Sequence, residues 1–286
     1  MKTRVSSLKK EVIIGDDQPT VLIGERLNPA GKKKLAEALK AGNLEIIRKE
    51  AMAQAQAGAD ILDVSVGTFG VNEVVLLPLA VQAVMDRVDI PLCLDSANAE
   101  ALEAALKVYR GKPLLNSVTG EERSLAKVLP LVKEYGAAVI GLVQDDEGIP
   151  SDAGRRVAIA HKIVQRAEAA GIAREDIIID CLASAVGADT GSGLVTLETI
   201  RRVKAELGVN LTLGASNVSF GLPDRDLLNN VFVAMAIAAG VTCLIVEVAK
   251  VRPIVLAADL VLAKDNRARR YIETYRQRQK RQEQEE

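Results

Sequence analysis

Carboxylate and amide side chains recur at intervals along this 286-residue chain, each at or near the end of a short apolar run. The set comprises Glu25, Asn28, Asp63, Asp95, Asn116, Gln144, Asp145, Asp180, Ser216, Asn217 and Glu247. Any one of them could cap the helix that follows it. Together they can bind a flat heterocycle, because carboxylates accept paired N–H bonds and carboxamides both donate and accept. The same groups could instead hold Mg²⁺ or act as an acid/base pair on a sugar.

Several reaction types lack the side chains that they need. The one histidine, His161, falls within a predicted helix, which disfavours imidazole catalysis and a His-based metal site, so no metal site is expected. No lysine lies inside a predicted strand, which argues against a Schiff-base aldolase. Aromatic residues make up 2% of the chain, which leaves few platforms for stacking sugars or nucleobases.

These side chains need a scaffold that brings distant segments together. Apolar runs predict eight buried strands, at residues 21–24, 61–66, 91–95, 114–116, 138–143, 177–181, 211–213 and 243–248. The runs are continuously apolar rather than alternating, as in parallel strands that are buried on both faces. Helical patterns separate them, at 32–58 with a break at Gly42, 71–88, 96–109, 121–135, 153–170, 197–207, 224–239 and 253–264.

Eight strand–helix units without a break in composition predict an α/β fold, a single-domain (β/α)₈ TIM barrel, which typically takes about 250 residues. A doubly wound sheet fits less well, because no glycine fingerprint follows the first strand. The predicted organisation is an N-terminal extension at 1–20, the barrel at 21–265 and a charged C-terminal tail at 266–286 that frays or is disordered. Active sites of such barrels lie at the carboxyl ends of the strands, where the polar set would converge.

The overall charge and the cysteines narrow the class of protein further. Lys and Arg (37) nearly balance Asp and Glu (38), which disfavours nucleic acid and anionic membranes as partners. The longest apolar stretch, 231–241, is too short to span a bilayer, and the N-terminus lacks a signal-peptide pattern. Cys93, Cys181 and Cys243 lie in apolar runs without a CxxC pair, as expected of buried thiols in a cytoplasmic protein.

Six motifs in chain order resemble a known family. They are VLIGERLN, ILDVSVG, LCLDSAN, LLNSVTGE, IIIDCL and GASNVSFGLPDR, and the similarity extends over roughly residues 20–265. The chain resembles the pterin-binding methyltransferases, and within them the methyltetrahydrofolate:corrinoid methyltransferases and the folate domain of cobalamin-dependent methionine synthase. The resemblance implies a homodimeric TIM barrel that exchanges a methyl group between N5 of tetrahydrofolate and the cobalt of a separate corrinoid protein.

The resemblance also implies roles for individual residues. Asp95, Asn116 and Asp180 match the family's pterin-binding residues, and Asn217 matches the asparagine close to N5. Further polar or loop positions near the ring are Asp63, Gly214, Ser216 and Arg225. Asn217 and Asp95 are the expected catalytic residues. Asn217 would hydrogen-bond N5 and stabilise its developing positive charge, while the proton would come through water near Asp63 or Asp95.

Other functions stay open at this stage. A dihydropteroate synthase would share the barrel, but it needs cationic residues where this chain has Ser216-Asn217-Val218. A folate-binding barrel without chemistry would keep the same polar ring, and a metal lyase or glycosidase would need a metal or a sugar platform. The sequence leaves the direction of methyl transfer open, because both directions use one site. It contains no cobalamin-binding segment, and it does not specify the docking surface of the corrinoid partner.

Overall fold

The computed structural model describes residues 1–285. Strands β1 Lys2–Ser6 and β2 Glu11–Gly15 form an antiparallel hairpin that precedes the barrel. The barrel strands are β3 Val21–Leu27, β4 Ile61–Ser65, β5 Leu92–Asp95, β6 Leu114–Thr119, β7 Ala138–Leu142, β8 Ile177–Asp180, β9 Asn210–Thr212 and β10 Cys243–Val246. The helices are α1 Lys33–Lys40, α2 Glu45–Ala57, α3 Glu73–Met85, α4 Ala99–Val108, α5 Glu122–Tyr135, α6 Ala153–Ala169, α7 Ser192–Leu207, α8 Arg225–Ala239, α9 Val248–Val261 and α10 Arg269–Glu285.

The barrel strands are parallel and pair in the order β10-β3-β4-β5-β6-β7-β8-β9. The sheet closes between β9 and β10, where the Thr242 N–H donates to Leu211 O at 3.0 Å and the Ile245 N–H donates to Leu213 O at 3.1 Å. The helices alternate with the strands around this sheet. The predicted single-domain (β/α)₈ barrel is therefore confirmed.

Two apolar cores flank the sheet. The larger core lies between the strands and the surrounding helices, and the smaller one fills the barrel interior. Ile61, Cys93 and Ile178 belong to the interior core. Because side chains alternate along a strand, residues two positions further on also face inward, and these are Asp63, Asp95 and Asp180. The apolar filling thus gives way to carboxylates at the carboxyl end of the barrel.

The predicted burial of all three cysteines is confirmed. Cys93, Cys181 and Cys243 are free and buried. Cys93 and Cys243 belong to the interior core, and Cys181 packs in the outer core. They act as small apolar side chains in the packing.

The two ends of the chain attach to the barrel by specific contacts. Val5 and Ile14 of the hairpin belong to the interior core, so the hairpin closes the amino end of the barrel. At the other end, the predicted charged tail forms helix α10 as far as Glu285, while Glu286 lies outside the described residues. Arg270 donates to the buried Asp259 at 3.3 Å, which fixes the start of α10 against α9. Within residues 1–285, no helix combines the length and apolar character needed to cross a bilayer.

Two helices begin earlier than the sequence pattern predicts. Helix α7 begins at Ser192 rather than 197, because its first turn is held by hydrogen bonds from Ser192 Oγ to Ser184 O and from Thr196 Oγ1 to Leu182 O. Helix α9 begins at Val248 rather than 253, and Pro253 lies inside it instead of at its start. At α7 these tertiary contacts outweigh the local preference of glycine against a helix.

Candidate active site at the barrel mouth

A cavity of about 590 Å³ opens at the carboxyl ends of the barrel strands. Its lining residues are Glu25, Asn28, Ala30, Gly31, Lys32, Asp63, Asp95, Asn116, Gly214, Ser216, Asn217, Phe220, Arg225, Asp226, Asn229, Asn230, Ile245, Glu247, Lys250 and Val251. This set contains every residue to which the resemblance assigns a role except Asp180. Gln144 and Asp145 of the predicted polar set also lie outside it, and Asp145 pairs with Arg155 instead. The cavity is therefore the candidate active site.

One wall of the cavity carries two carboxylate–amide pairs. Asn28 Nδ2 donates to Asp95 Oδ2 at 3.0 Å, and Asn116 Nδ2 donates to Asp63 Oδ1 at 3.3 Å. Strand register places Asp95 beside Asn116 on adjacent strands. An ionised carboxylate offers about four acceptor positions, so both aspartates keep capacity for N–H donors of a ligand.

Burial raises the pKa of both aspartates. Asp63 is 1% exposed, and burial raises its pKa to about 6. The pKa of Asp95 lies well above its ordinary range because of burial and, in second place, the nearby charge of Asp63. A ligand that donates N–H bonds to these groups favours their ionised forms, so its binding would be coupled to proton release.

Beside this wall, charged residues at the end of β3 and on the adjacent β10 side complete the mouth. Ser216 Oγ donates to Glu25 Oε1 at 3.2 Å, and burial raises the pKa of Glu25. Lys32 Nζ donates to Glu25 O at 3.1 Å, and burial lowers the pKa of this amine. Arg26 NH1 donates to Glu247 Oε1 at 3.1 Å, which holds Glu247 at the rim. Both signs of charge therefore lie within one partly buried site.

Asn217 reaches the mouth on a short turn after β9. A 3₁₀ turn spans Ala215–Ser219, and Arg225 fixes it by donating to Ser219 Oγ at 3.0 Å and to Ser216 O at 2.8 Å. A Cβ at Gly214 would lie 3.2 Å from Asn217 Nδ2, tighter than an ordinary contact. Glycine at 214 therefore leaves space for the Asn217 amide. Arg225 lines the cavity, and its guanidinium is bonded to the turn.

Asp180 occupies a separate position at the end of β8. It is 5% exposed, and its Oδ1 accepts a hydrogen bond from the Leu182 N–H at 2.7 Å. Burial raises its pKa to about 7. The chain turns back at Leu182, where φ is +53°, and this turn takes up one oxygen of the carboxylate. Asp180 thus faces the barrel interior by strand alternation but does not line the cavity.

Sequence reasoning missed several cavity residues on helices. Lys32 precedes α1, Asn229 and Asn230 lie on α8, and Lys250 lies on α9. Helical spacing could have placed Asp226, Asn229 and Asn230 on one face, but only the barrel geometry turns that face toward the mouth. The sequence prediction considered only the carboxyl ends of the strands, so it left these residues out of the site.

The site contains no arrangement typical of a metal centre. Among residues 1–285, no group of three or more His, Cys, Asp or Glu side chains could hold a metal ion. His161 lies on α6 away from the cavity, where its Nε2 is 2.9 Å from Glu206 Oε2, in agreement with the predicted surface role. The chemistry of the mouth therefore rests on carboxylates, amides and amines.

Comparison with known proteins identifies the family. A sequence profile described as "Pterin binding enzyme" matches residues 24–247. The chain is 31% identical over 267 residues to the methylcorrinoid:tetrahydrofolate methyltransferase of Eubacterium limosum, covering 90% of this chain and 96% of that protein. The chain belongs to the pterin-binding enzymes. The family resemblance expected from the six motifs is confirmed.

Other pterin-binding enzymes and related proteins match over similar ranges. The methionine synthase of Mycobacterium tuberculosis (strain ATCC 25618 / H37Rv) is 33% identical over 264 residues, which cover 87% of this chain and 22% of that protein. The chain therefore spans about a fifth of the methionine synthase. Among solved structures, dihydropteroate synthase from Xanthomonas albilineans in complex with 7,8-dihydropteroate has a TM-score of 0.71 at 20% identity, covering 91% of this chain and 99% of that chain.

A second dihydropteroate synthase gives the same result. The Yersinia pestis enzyme with a pterine–sulfa conjugate has a TM-score of 0.72 at 17% identity, covering 92% of this chain and 100% of that chain. At these identities, the likeness of this pterin-binding enzyme to both synthases concerns the barrel fold.

Proposed function

We propose that this protein is a methyltransferase that moves a methyl group between N5 of tetrahydrofolate and the cobalt of a corrinoid carried by a separate protein. The observation that carries the proposal is the sharing of one cavity by Asn217, Asp63 and Asp95 in a member of the pterin-binding enzymes. The relatives named above support methyl transfer rather than another pterin reaction. Tetrahydrofolate and the partner's corrinoid are both substrates in this proposal.

The two carboxylate–amide pairs fit the pyrimidinone edge of a pterin. That edge presents neighbouring N–H donors and a carbonyl acceptor, which carboxylates and carboxamides can satisfy together. In the proposed complex, Asp95 and Asp63 accept from the edge while Asn116 supplies both a donor and an acceptor. Asp180, just outside the cavity, accepts from a further donor through the carboxylate oxygen that the Leu182 N–H does not occupy. Asn28 keeps Asp95 oriented through its 3.0 Å hydrogen bond.

Asn217 is the proposed catalytic residue at N5. Its amide lies on a turn that Arg225 braces, so it can hold a fixed orientation toward the ring. An oriented amide that hydrogen-bonds N5 more strongly as positive charge develops would lower the barrier to methyl transfer. The partner's cobalt takes or gives the methyl group. Asp63 and Asp95, whose pKa values are raised by burial, are placed to exchange a proton through water.

We further propose that the protein acts as a homodimer in the cytoplasm. Helix α8 presents Leu227, Val231 and Met235 to solvent, and the end of α9 presents Val261 and Leu262. Between the two helices lies an apolar groove of about 300 Å³. These five residues and the groove are named the α8–α9 apolar face. Continuous apolar surface of this kind is typical of a protein interface, and a two-fold axis would bury the same face on both copies.

Calorimetric titration with tetrahydrofolate and methyltetrahydrofolate tests the pterin site first. We expect both to bind, and we expect a spectroscopic assay with Co(I) or methyl-Co(III) cobalamin to report methyl transfer in at least one direction. Binding without transfer, also in the presence of corrinoid protein, would favour a folate-binding barrel without chemistry. Absence of binding would exclude the proposed function.

A further inference from the structure

A buried arginine lies behind the β8 wall of the barrel. Arg156, on α6, is 2% exposed although its guanidinium carries a full charge. Its acceptors are Pro150 O at 2.8 Å, Leu182 O at 2.7 Å, Cys181 O at 3.1 Å, Ser184 Oγ at 3.3 Å and Thr196 Oγ1 at 3.4 Å. Each is a carbonyl or hydroxyl oxygen rather than a carboxylate. Burying a charge that has no carboxylate in direct contact lowers stability. The presence of this buried arginine therefore indicates a role beyond packing.

The contacts of Arg156 converge on the two residues that follow Asp180. The guanidinium holds the carbonyls of Cys181 and Leu182, and Thr196 Oγ1 donates to the same Leu182 carbonyl at 3.1 Å. Leu182 has a left-handed backbone with φ of +53°, which is unfavourable for a residue with a branched side chain. Its own N–H donates to Asp180 Oδ1 at 2.7 Å. One peptide segment therefore links the guanidinium to the carboxylate.

The charge of Arg156 acts on the same carboxylate. Burial raises the pKa of Asp180 to about 7, and the Leu182 N–H and the positive charge of Arg156 both act in the opposite direction. The other titratable groups close to Asp180 are the thiols of Cys181 and Cys243. Burial raises the pKa of both thiols, so they stay neutral at physiological pH. Arg156 is therefore the cation that favours ionisation of Asp180.

We propose that Arg156 is a positioning residue of the pterin site, which fixes the Cys181–Leu182 segment, thereby orients the Asp180 carboxylate, and favours its ionised form. The inference rests on the proposed function, because it assigns Asp180 to the binding of a pterin donor. Arg156 does not line the cavity and acts only through Asp180. No feature of the sequence distinguishes it from its neighbour Arg155, which pairs with Asp145 and Glu147 on the surface.

The test compares Arg156→Met with the control Arg155→Met. The control removes a positive charge from the neighbouring residue, which forms exposed ion pairs with Asp145 and Glu147. Carboxyl ¹³C NMR of aspartate-labelled protein gives the pKa of Asp180, its signal being assigned by its loss in Asp180→Asn. We expect Arg156→Met to raise this pKa by about one unit or more, as removal of a nearby opposite charge does. Methyltetrahydrofolate affinity at pH 7 should then fall by about fivefold or more, as the ionised fraction of Asp180 falls. Arg155→Met should change neither quantity.

A double-mutant cycle separates positioning from general loss of structure. In the Asp180→Asn background, Arg156→Met should weaken binding by less than about threefold, because a residue that acts through Asp180 has nothing left to orient. Arg156→Lys retains the charge, so it should leave the pKa of Asp180 within a few tenths of a unit while still weakening binding. It also serves as the test if Arg156→Met fails to fold.

Three results would overturn the proposal. They are an unchanged pKa of Asp180 in Arg156→Met, an equal shift in Arg155→Met, or the full loss of affinity persisting in the Asp180→Asn background. Failure of the wild-type protein to bind either folate would instead reject the proposed function, while the pKa measurement, which needs no ligand, would still test the link between Arg156 and Asp180.

Discussion

In the proposed function, the side chains at the mouth combine two tasks that need different chemical groups. Binding a pterin edge requires acceptors that are ionised and fixed, and Asp63 and Asp95 are fixed by Asn116 and Asn28. Methyl transfer requires a group that interacts more strongly with N5 in the transition state than in the bound substrate, and Asn217 is placed for this. Variants of the two kinds should therefore separate affinity from turnover.

Replacement of Asn217 tests the catalytic role. We expect Asn217→Ala to lower the methyl-transfer rate by about 10²–10³-fold, as loss of an oriented hydrogen-bonding group does, with folate affinity nearly unchanged. Stopped-flow spectroscopy of the cobalamin absorbance measures the rate, and calorimetry measures the affinity. Asn43→Ala, at an exposed loop before α2, is the control. A loss of less than tenfold at unchanged affinity would remove Asn217 from the chemistry.

The raised pKa values predict how folate binding depends on pH. In the free protein the carboxyl of Asp63 holds its proton up to about pH 6, and the ligand must displace that proton. Affinity for methyltetrahydrofolate should therefore rise with pH up to and beyond about 7, where Asp180 titrates, and fall further as the pH drops through about 6. Calorimetry in buffers of different ionisation enthalpy should detect proton release on binding near pH 6.

The same measurement on Asp95→Asn identifies a second titrating group. This variant should bind methyltetrahydrofolate more weakly at every pH, by about 1.5–3 kcal/mol for a lost charged hydrogen bond, and with a shallower pH dependence. Asp86→Asn, at the end of α3, is the control for loss of one surface carboxylate. A normal dissociation constant in Asp95→Asn would place this residue outside the ligand's contacts.

At the scale of elements, the amino end of the barrel depends on the N-terminal hairpin. The hairpin enters the interior core and hydrogen-bonds to the loop before β6, where the Ser6 N–H donates to Lys112 O at 2.8 Å. Gly111 lies against this strand, with φ of +124°. A Cβ there would overlap the Ser6 carbonyl and lie 2.8 Å from Ser7 O. The close approach of the two backbones thus requires glycine.

Gly111→Ala should loosen the hairpin from the barrel base. We expect a loss of unfolding free energy of about 2–4 kcal/mol, the sum of backbone strain and steric overlap. Gly136→Ala is a matched control, because Gly136 has φ of +62° but no atom near the added Cβ, so it should cost only about 1 kcal/mol. Chemical denaturation measures both. Equal losses in the two variants would mean that the hairpin contact adds nothing.

At the scale of the whole molecule, the surface is unequal around the barrel. The outer face of α6 carries ion pairs, whereas the α8–α9 apolar face exposes large apolar side chains next to the Lys250–Asp226 ion pair, which joins α8 and α9. Val261 is 84% exposed, which is unusual for a valine on a helix that packs against the barrel. Association of two copies would remove this surface from water.

Charge on the α8–α9 apolar face should therefore separate the copies. We expect the wild-type protein to be a dimer by light scattering, and Val261→Lys combined with Met235→Lys to give a monomer, because a buried unpaired charge opposes association. Leu8→Lys, in the exposed turn of the hairpin, is the control and should remain dimeric. A monomeric wild type would exclude the homodimer, and a dimeric double variant would exclude this face.

The sequence alone predicted the barrel, the polar residues at the carboxyl ends of its strands and the pterin-binding family. This succeeded because the relevant signals are local: continuous apolar runs predict buried parallel strands, and strand alternation determines that Asp63, Asp95 and Asn116 point inward. The turn that bears Asn217 could also be predicted, since Gly214 and Pro223 interrupt the apolar pattern on either side of it. Assignment of residue roles drew on the resemblance and stays a prediction.

Tertiary structure decided what depends on contacts between distant segments. Lys32, Asn229 and Lys250 join the site because loops and helices converge over the mouth, which no local pattern records. Arg156 and Arg155 are adjacent and identical in type, yet one is buried behind Asp180 and the other forms surface ion pairs. Raised pKa values follow from burial, and burial is a property of the folded whole. Local periodicity therefore specifies the scaffold, and long-range packing specifies its chemistry.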